Sequence, residues 1–373
     1  MAISIRVAES TSDVNRFIKL QWKFYGGDRN WVPPLLMDRR KLLSRKKNPF
    51  YQHAEMQLFI AESDGEAVGR IAAIVNHNHN QTHDDRVGFF GFFESIDQQD
   101  VADALLDAAS SWLRSKRMDT MRGPFNPSVN DEIGLLVDGF ERPPVLLMTY
   151  NPRYYPSLLE AWGLRKAKDL YAYLLSTETT LSPKLERVQS MVRERYGLRI
   201  RNIDFGNLDR EVVTLKHIYN AAWEKNWGAV AMTDAEFDFL AADLKQVIGS
   251  FKEFAFIAER NGEPVGFSLA LPDINQTLIH NTRGWLVPGI WHMLTRTKRI
   301  DTVRIIVLGV LPEFRGKGFD SVMYFETVTR AIHRGLRFGE ASWVLEDNTM
   351  MNRAADLMNG VRYKTYRVYD AQI

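Results

Sequence analysis

Arg315, Gly316, Lys317 and Gly318 are the residues whose types and spacing point most directly to chemistry. They close the run Leu308-Gly-Val-Leu-Pro-Glu-Phe-Arg-Gly-Lys-Gly318, which follows the apolar, β-branched stretch Thr302–Leu308. Such a stretch suits a buried strand. After the run, Val322, Phe325, Val328 and Ile332 recur at helical spacing within Asp320–Arg334. The order is strand, glycine-containing turn, helix. Backbone amides in a turn of this kind stand unpaired at the positive end of the helix dipole, where they bind phosphate. The two glycines let a ligand approach the main chain, and the two cations add charge. Spacing excludes two common phosphate loops. A Walker loop needs glycine at 311 and a hydroxyl residue at 318, where Leu311 and Gly318 stand, and a dinucleotide fingerprint needs glycine at 321, which is Ser321.

The surviving pattern resembles motif A of the GNAT superfamily, the acyl-CoA-dependent N-acyltransferases, matching at Val310, Pro312, Glu313, Phe314, Arg315 and Gly318. It departs at Asp320, where the family carries a small residue. The resemblance implies acetyl-CoA, or another acyl-CoA, as co-substrate and no metal. Main-chain groups of Leu308 and Val310 would pair with the pantetheine arm, the Val310 N–H polarising the thioester carbonyl. The diphosphate would lie over Arg315, Gly316, Lys317, Gly318 and Phe319. Asn348 fits either a contact to the pantetheine arm or a helix cap. The tyrosine that in this family protonates the departing thiolate aligns with Met358, which leaves Tyr363 and Tyr366 as substitutes from the following strand. An attacking amine must be neutral, so a base is needed. Glu346, at the end of the expected fifth strand, is the first candidate and Asp347 the second; Glu313 reads as structural.

These residues need a scaffold, and the chain shows it twice. Phe59-Ile-Ala-Glu-Ser-Asp-Gly-Glu-Ala-Val-Gly69 returns as Phe256-Ile-Ala-Glu-Arg-Asn-Gly-Glu-Pro-Val-Gly266, identical at eight of eleven positions with an offset of 197. Each copy reads as a β-hairpin turning on Asp-Gly or Asn-Gly. In both halves a further strand follows (Val87–Phe93, Val303–Val310), then an amphipathic helix, then another strand (Thr120–Pro124, Ala341–Leu345). Alternation of this kind indicates an α/β (α+β layered) fold. Two tandem GNAT-like domains are expected, each a mixed sheet flanked by helices, at residues 1–178 and 179–373, joined through the polar stretch Leu175–Pro183. The first copy replaces the glycine loop with Phe92-Phe-Glu-Ser-Ile-Asp-Gln-Gln-Asp100. Glu94, Asp97 and Asp100 there are read as carboxylates crowding the helix start, hostile to a diphosphate. The first domain is accordingly expected to lack the CoA loop and to serve as support or as one wall of an acceptor cleft.

The bulk numbers narrow the partners. The chain has 373 residues, 45% of them hydrophobic, a net charge of +2 and no cysteine. These exclude general disorder, disulfides and thiolate chemistry, and do not imply nucleic acid. No membrane span or secretion signal is read, and a cytoplasmic location is expected. The acceptor is expected to be a small-molecule or peptide amine. Acetyl transfer is the first reading. The alternatives are a long-chain acyl or aminoacyl transferase on the same fold, or an inactive acyl-CoA-binding module. The segment Arg283–Arg299 sets Trp285, Leu286, Ile290, Trp291 and Leu294 beside a basic tail. Such a segment suits packing between domains, an apolar pocket, or peripheral contact with a membrane through Trp285–Leu294. His77, His79 and His83 with Asp84 and Asp85 read as a solvated loop, and Arg39–Lys47 as a solvated basic helix face.

Overall fold

The computed structural model describes residues 3–223, 226–248 and 251–373. The chain divides into two compact units. The first holds Met1–Leu170, Asn275–Lys298 and Lys364–Ile373; the second holds Tyr171–Ile274 and Arg299–Tyr363.

In the first unit the strands Ile3–Val7, Ala54–Ser63, Glu66–Asn76 and Val87–Ser95 pair antiparallel in that order, and Val87–Ser95 pairs parallel with Thr120–Gly123. The helix Gln99–Ser115 provides the parallel crossover and buries Val101, Leu105, Leu106, Ala109 and Leu113 in the unit's core. Its apolar residues recur at 101, 105, 109 and 113, one face of the helix, which is why this segment can cover a sheet.

The second unit repeats the plan. Leu198–Asn202, Ala255–Arg260, Glu263–Pro272 and Thr302–Val310 pair antiparallel, and Thr302–Val310 pairs parallel with Phe338–Leu345. The helix Phe319–His333 is the crossover, its Phe319, Val322 and Met323 packing on Phe256, Ala258 and Val265. In both units the fourth strand carries one extra residue against the third, between Gly91 and Glu94 in one and between Ile305 and Val307 in the other. A bulge of this type bends a strand and re-aims the groups that follow it.

The expected cut at 178/179 does not describe this partition. Strand Arg165–Ser176 divides after Leu170, its latter part lying in the second unit. Most of the final strand, Lys364 onward, lies in the first unit, where Tyr369–Gln372 pairs with Thr120–Gly123. A sheet edge is satisfied by any strand that reaches it, so hydrophobic pattern alone leaves the choice of edge open. The segment 275–298 also falls in the first unit, although it interrupts the second half of the sequence.

Candidate active site

In the second unit the fourth and fifth strands are paired only from Thr302–Phe338 to Ile305–Ala341. Beyond that they continue to Val310 and Leu345 without further pairing between them. Val310 and Glu346 therefore each lie five residues past the last paired positions (305 to 310, 341 to 346), at the same open end of a V.

The direction of the main-chain groups in that opening follows from one hydrogen bond. Leu311 N–H donates to Val265 C=O at 2.9 Å, and Gly266 stands opposite Val310. In an antiparallel ladder bonded pairs alternate with non-bonded ones, so 310–266 and 308–268 are non-bonded pairs. The N–H and C=O groups of Val310 and Leu308 point away from the third strand, into the V. This is the arrangement the pantetheine arm requires in the GNAT resemblance.

The loop beyond Val310 turns through Pro312–Phe314 and then takes Gly316 and Gly318 into the left-handed region, at φ 69° and 81°. A side chain at Gly318 would meet Val192 Cγ2 at 2.9 Å, whereas nothing lies within 4 Å of a Cβ placed on Gly316. Gly318 caps the helix Phe319–His333 with no side-chain bond, and the N–H groups of Gly316, Lys317, Gly318 and Phe319 have no hydrogen-bond partner among the described residues. Open space above unpaired amides at a helix N-terminus fits a diphosphate. The neighbouring cations are held by main chain: Arg315 donates to Ala222 C=O at 2.6 Å, and Lys317 Nζ to Glu313 C=O at 2.7 Å. Asp320 sits half-buried in the first helical turn, and burial pushes its carboxyl above the ordinary value although Ser321 N–H donates to it. Gly318, not Asp320, is the cap, and a carboxylate in the first turn is unfavourable to a diphosphate there.

Of the remaining expected residues, Glu346 stands half-buried at the mouth of the V. Asn348 caps the helix Thr349–Leu357, its Oδ1 accepting from Met351 N–H at 3.1 Å. Tyr363 does not lie at the loop, and Tyr366 belongs to the first unit. Tyr363 donates to Glu340, which stands opposite Arg304, roughly 20 Å down the strand from Val310 at about 3.3 Å per residue. Tyr366 is fully buried in the first unit, opposite Leu136.

Two contributors were not found from sequence. Trp223, stacked on Tyr219 with ring centroids 4.8 Å apart, lies so close to Gly309 that a Cβ there would meet its ring at 2.6 Å. Trp223 thus packs on the fourth strand at Gly309, on the face opposite to the Val310 side chain. Asn352 donates to the carbonyls of Leu345, Glu346 and Asn348 and accepts from Tyr173 at 2.7 Å, fixing the turn that carries Glu346. Its i, i+4 relation to Asn348 was the available signal.

The corresponding place in the first unit is built differently. Ile96 N–H donates to Val68 C=O at 3.0 Å and Ser95 stands opposite Gly69, so Ser95 is the counterpart of Val310. Its N–H is already taken, at 3.1 Å, by the Tyr155 hydroxyl, and Tyr154 donates to its C=O at 2.8 Å. Asn126 Oδ1 accepts from Phe92 N–H at 2.6 Å across the gap between the fourth and fifth strands. Glu94 does not crowd the helix start as expected. It is the penultimate residue of the fourth strand, 3% exposed, and accepts from Tyr25 (2.9 Å), Tyr155 (2.7 Å) and Gln21 (2.9 Å) beside Arg70. Burial first, and the Glu94 charge second, push both phenols well above their usual range.

Three other expectations change. His77–His83 is a helix rather than a loop, and His79 is buried against Phe89, which lowers its pKa to about 3. No group of three metal-ligating side chains close enough to hold an ion occurs among the described residues. Arg39 is not solvated but pairs with Glu132 at 2.7 Å. The Trp285–Leu294 segment is exposed rather than packed away. No helix among the described residues is long and apolar enough to cross a membrane.

Comparison with known proteins identifies relatives over the whole chain. The chain is 37% identical over 376 residues to the bacterial ceramide synthase of Caulobacter vibrioides, covering 99% of this chain and 97% of that one. It is 32% identical over 377 residues to protein YghO of Escherichia coli, covering 99% and 95%. No family model matches. Among solved structures, a tandem GNAT protein from the clavulanic acid biosynthesis pathway superposes with a TM-score of 0.59 at 11% identity, covering 100% of this chain and 98% of that one. The chain has a two-unit GNAT fold, and near-complete coverage of two relatives above 30% identity leads to one conclusion: it belongs to the family that includes the bacterial ceramide synthase of Caulobacter vibrioides and YghO of Escherichia coli.

Proposed function

We propose that this protein transfers a long acyl chain from an acyl-CoA to the amino group of a sphingoid-type long-chain amine. The observation that carries the acyl-donor half is the V with Val310 and Leu308 turned into it, opening on unpaired amides at Gly316–Phe319. The acceptor half is supported by the relationship to the ceramide synthase, a ceramide being the amide of a long-chain base with a fatty acid. This reading takes the long-chain alternative over acetyl transfer.

When bound, an acyl-CoA supplies an activated thioester. The chain's own residues do the rest. The loop amides hold the diphosphate, Arg315 anchors the loop to the helix end at Ala222, and the Val310 N–H is a preorganised donor for the carbonyl oxygen. Glu346 takes the proton that the acceptor nitrogen loses as the C–N bond forms and the C–S bond breaks. A departing thiolate is basic enough to be protonated by solvent, so no tyrosine is required at this step. Acyl-CoA is a cytoplasmic metabolite, so the reading implies a cytoplasmic location.

The test uses the purified full chain with palmitoyl-CoA or acetyl-CoA, and with sphinganine or small polar amines. Free thiol is followed and products are identified by mass spectrometry. N-palmitoyl-sphinganine as the main product is the expected outcome. Acylation confined to polar amines, or acyl-CoA binding with no amine acylated, overturns the acceptor assignment.

A further inference from the structure

Surface helices of globular proteins turn apolar residues inward and polar ones outward. The helix Leu286–Arg296 does the reverse. At 100° per residue, Leu286, Val287, Ile290, Trp291 and Leu294 fall on one continuous arc of about 140°. That arc faces outward, with Val287 77%, Trp291 65% and Leu294 76% exposed. The opposite side, through Gly289, is the buried one: a Cβ there would meet Leu35 at 2.8 Å. The helix is seated firmly, because Asn281 Nδ2 donates to Trp285 C=O at 2.8 Å. Trp285, 52% exposed at its N-terminus, extends the arc.

The surroundings are basic. Arg283 lies over the Trp285 ring at 5.0 Å, and Lys298 follows the helix; neither has a carboxylate partner among the described residues. The first turn of the helix Leu36–Leu42 joins the same surface, Leu36 N–H donating to Gly284 C=O at 2.9 Å. It adds exposed Met37. Two exposed tryptophans, an aliphatic stripe and unpaired cations are the chemistry of a helix lying in a membrane interface over anionic headgroups.

We infer that the Trp285–Leu294 face docks this protein on an anionic lipid bilayer, with the stripe in the acyl boundary and Arg283 and Lys298 at the headgroups. The inference goes beyond the acyl-transfer reading and does not depend on it, since it stands on exposure and charge at a place other than the glycine loop. Co-sedimentation of the full chain with phosphatidylcholine vesicles, with or without phosphatidylglycerol, tests it. The protein is expected to pellet with the mixed vesicles and to be released by high salt. The double variant Trp285→Ser/Trp291→Ser is expected to bind at least about tenfold more weakly, and Arg283→Glu/Lys298→Glu to lose the preference for anionic vesicles. Both variants are expected to keep wild-type acyl-CoA affinity and circular dichroism, which separates this outcome from failure of the acyl-donor reading. Wild type remaining in the supernatant with both vesicles overturns the inference, as does unchanged binding by the tryptophan variant. A lipid-free dimer that the same variant converts to monomer overturns it too, because the stripe then covers a second copy of the chain.

Discussion

The two units present the same strand end in two chemical states. In the second, Val310 N–H faces an opening that continues into a loop of unpaired amides. In the first, the equivalent Ser95 N–H is bonded to Tyr155, and Asn126 closes the gap behind it. Both fourth strands are bulged, and both send the next residue's N–H back to the strand before. The scaffold for exposing a main-chain donor is therefore present twice. Only the filling differs, and a phenol hydroxyl can occupy the place that a carbonyl oxygen would take because both are hydrogen-bond acceptors. The glycine loop reinforces the difference: it occupies 311–318 in one unit, while three residues, 96–98, suffice in the other.

The comparison can be broken most severely at Gly318. Gly318→Trp needs a strained positive φ and collides with Val192, so acyl-CoA affinity by calorimetry should fall by at least about 100-fold, or ~2.7 kcal/mol. Wild-type affinity would show that the loop is not the donor site. Next in size, Glu346→Gln should lower kcat about 100-fold while leaving acyl-CoA affinity unchanged, the split expected for a base that acts only on the acceptor. A kcat within twofold of wild type removes Glu346 from the mechanism. The closed copy is tested by Tyr155→Phe, which strips one bond from Glu94 and one from Ser95. Chemical denaturation should show a loss of about 1–3 kcal/mol, with the acyl-CoA titration unmoved. An altered acyl-CoA affinity would mean that the first unit's strand end is not merely structural.

Asp320 gives the smallest effect and sharpens the loop itself. Burial raises its folded-state pKa above 3.8, so the folded protein holds the proton more tightly than the unfolded chain. Its contribution favours folding at low pH and is lost as pH rises from about 3.8 through the higher folded value. Asp320→Asn should therefore raise stability slightly at pH 7, by about 1 kcal/mol or less, with a correspondingly higher Tm, with no gain below that window, and should tighten acyl-CoA binding a few-fold. A lower Tm at pH 7 would show that its bond from Ser321 outweighs the cost of burying the charge.

Local order along the chain was enough to recognise the strand–loop–helix unit, both hairpins and both crossover helices, because each is made by contacts between near neighbours. Thr302–Val310 and Phe319–His333 lie within a residue or two of where β-branched content and helical periodicity place them. The buried tyrosine plug was not legible. Tyr155 meets Ser95 across 60 residues and Asn126 meets Phe92 across 34, and nothing in their types marks them as partners. Glu94 shows the same limit: three residues short of Asp97 in sequence, it belongs to a strand end and a buried network instead of a helix start. Tyr363 and Tyr366 illustrate alternation within one strand crossed by a unit boundary, one donating to Glu340 and the other in the first unit's core.

What the amino-acid order by itself determined is the duplicated design and the location of the single glycine loop, since turn chemistry, period and charge at the loop are properties of adjacent residues. Tertiary structure alone decided which strand completes which sheet, which of two equivalent strand ends is closed, and that an apolar helix face is left to solvent. Those outcomes depend on which distant groups reach a free edge, an unpaired N–H or an uncovered surface first, and pairing of that kind is not encoded at any one position.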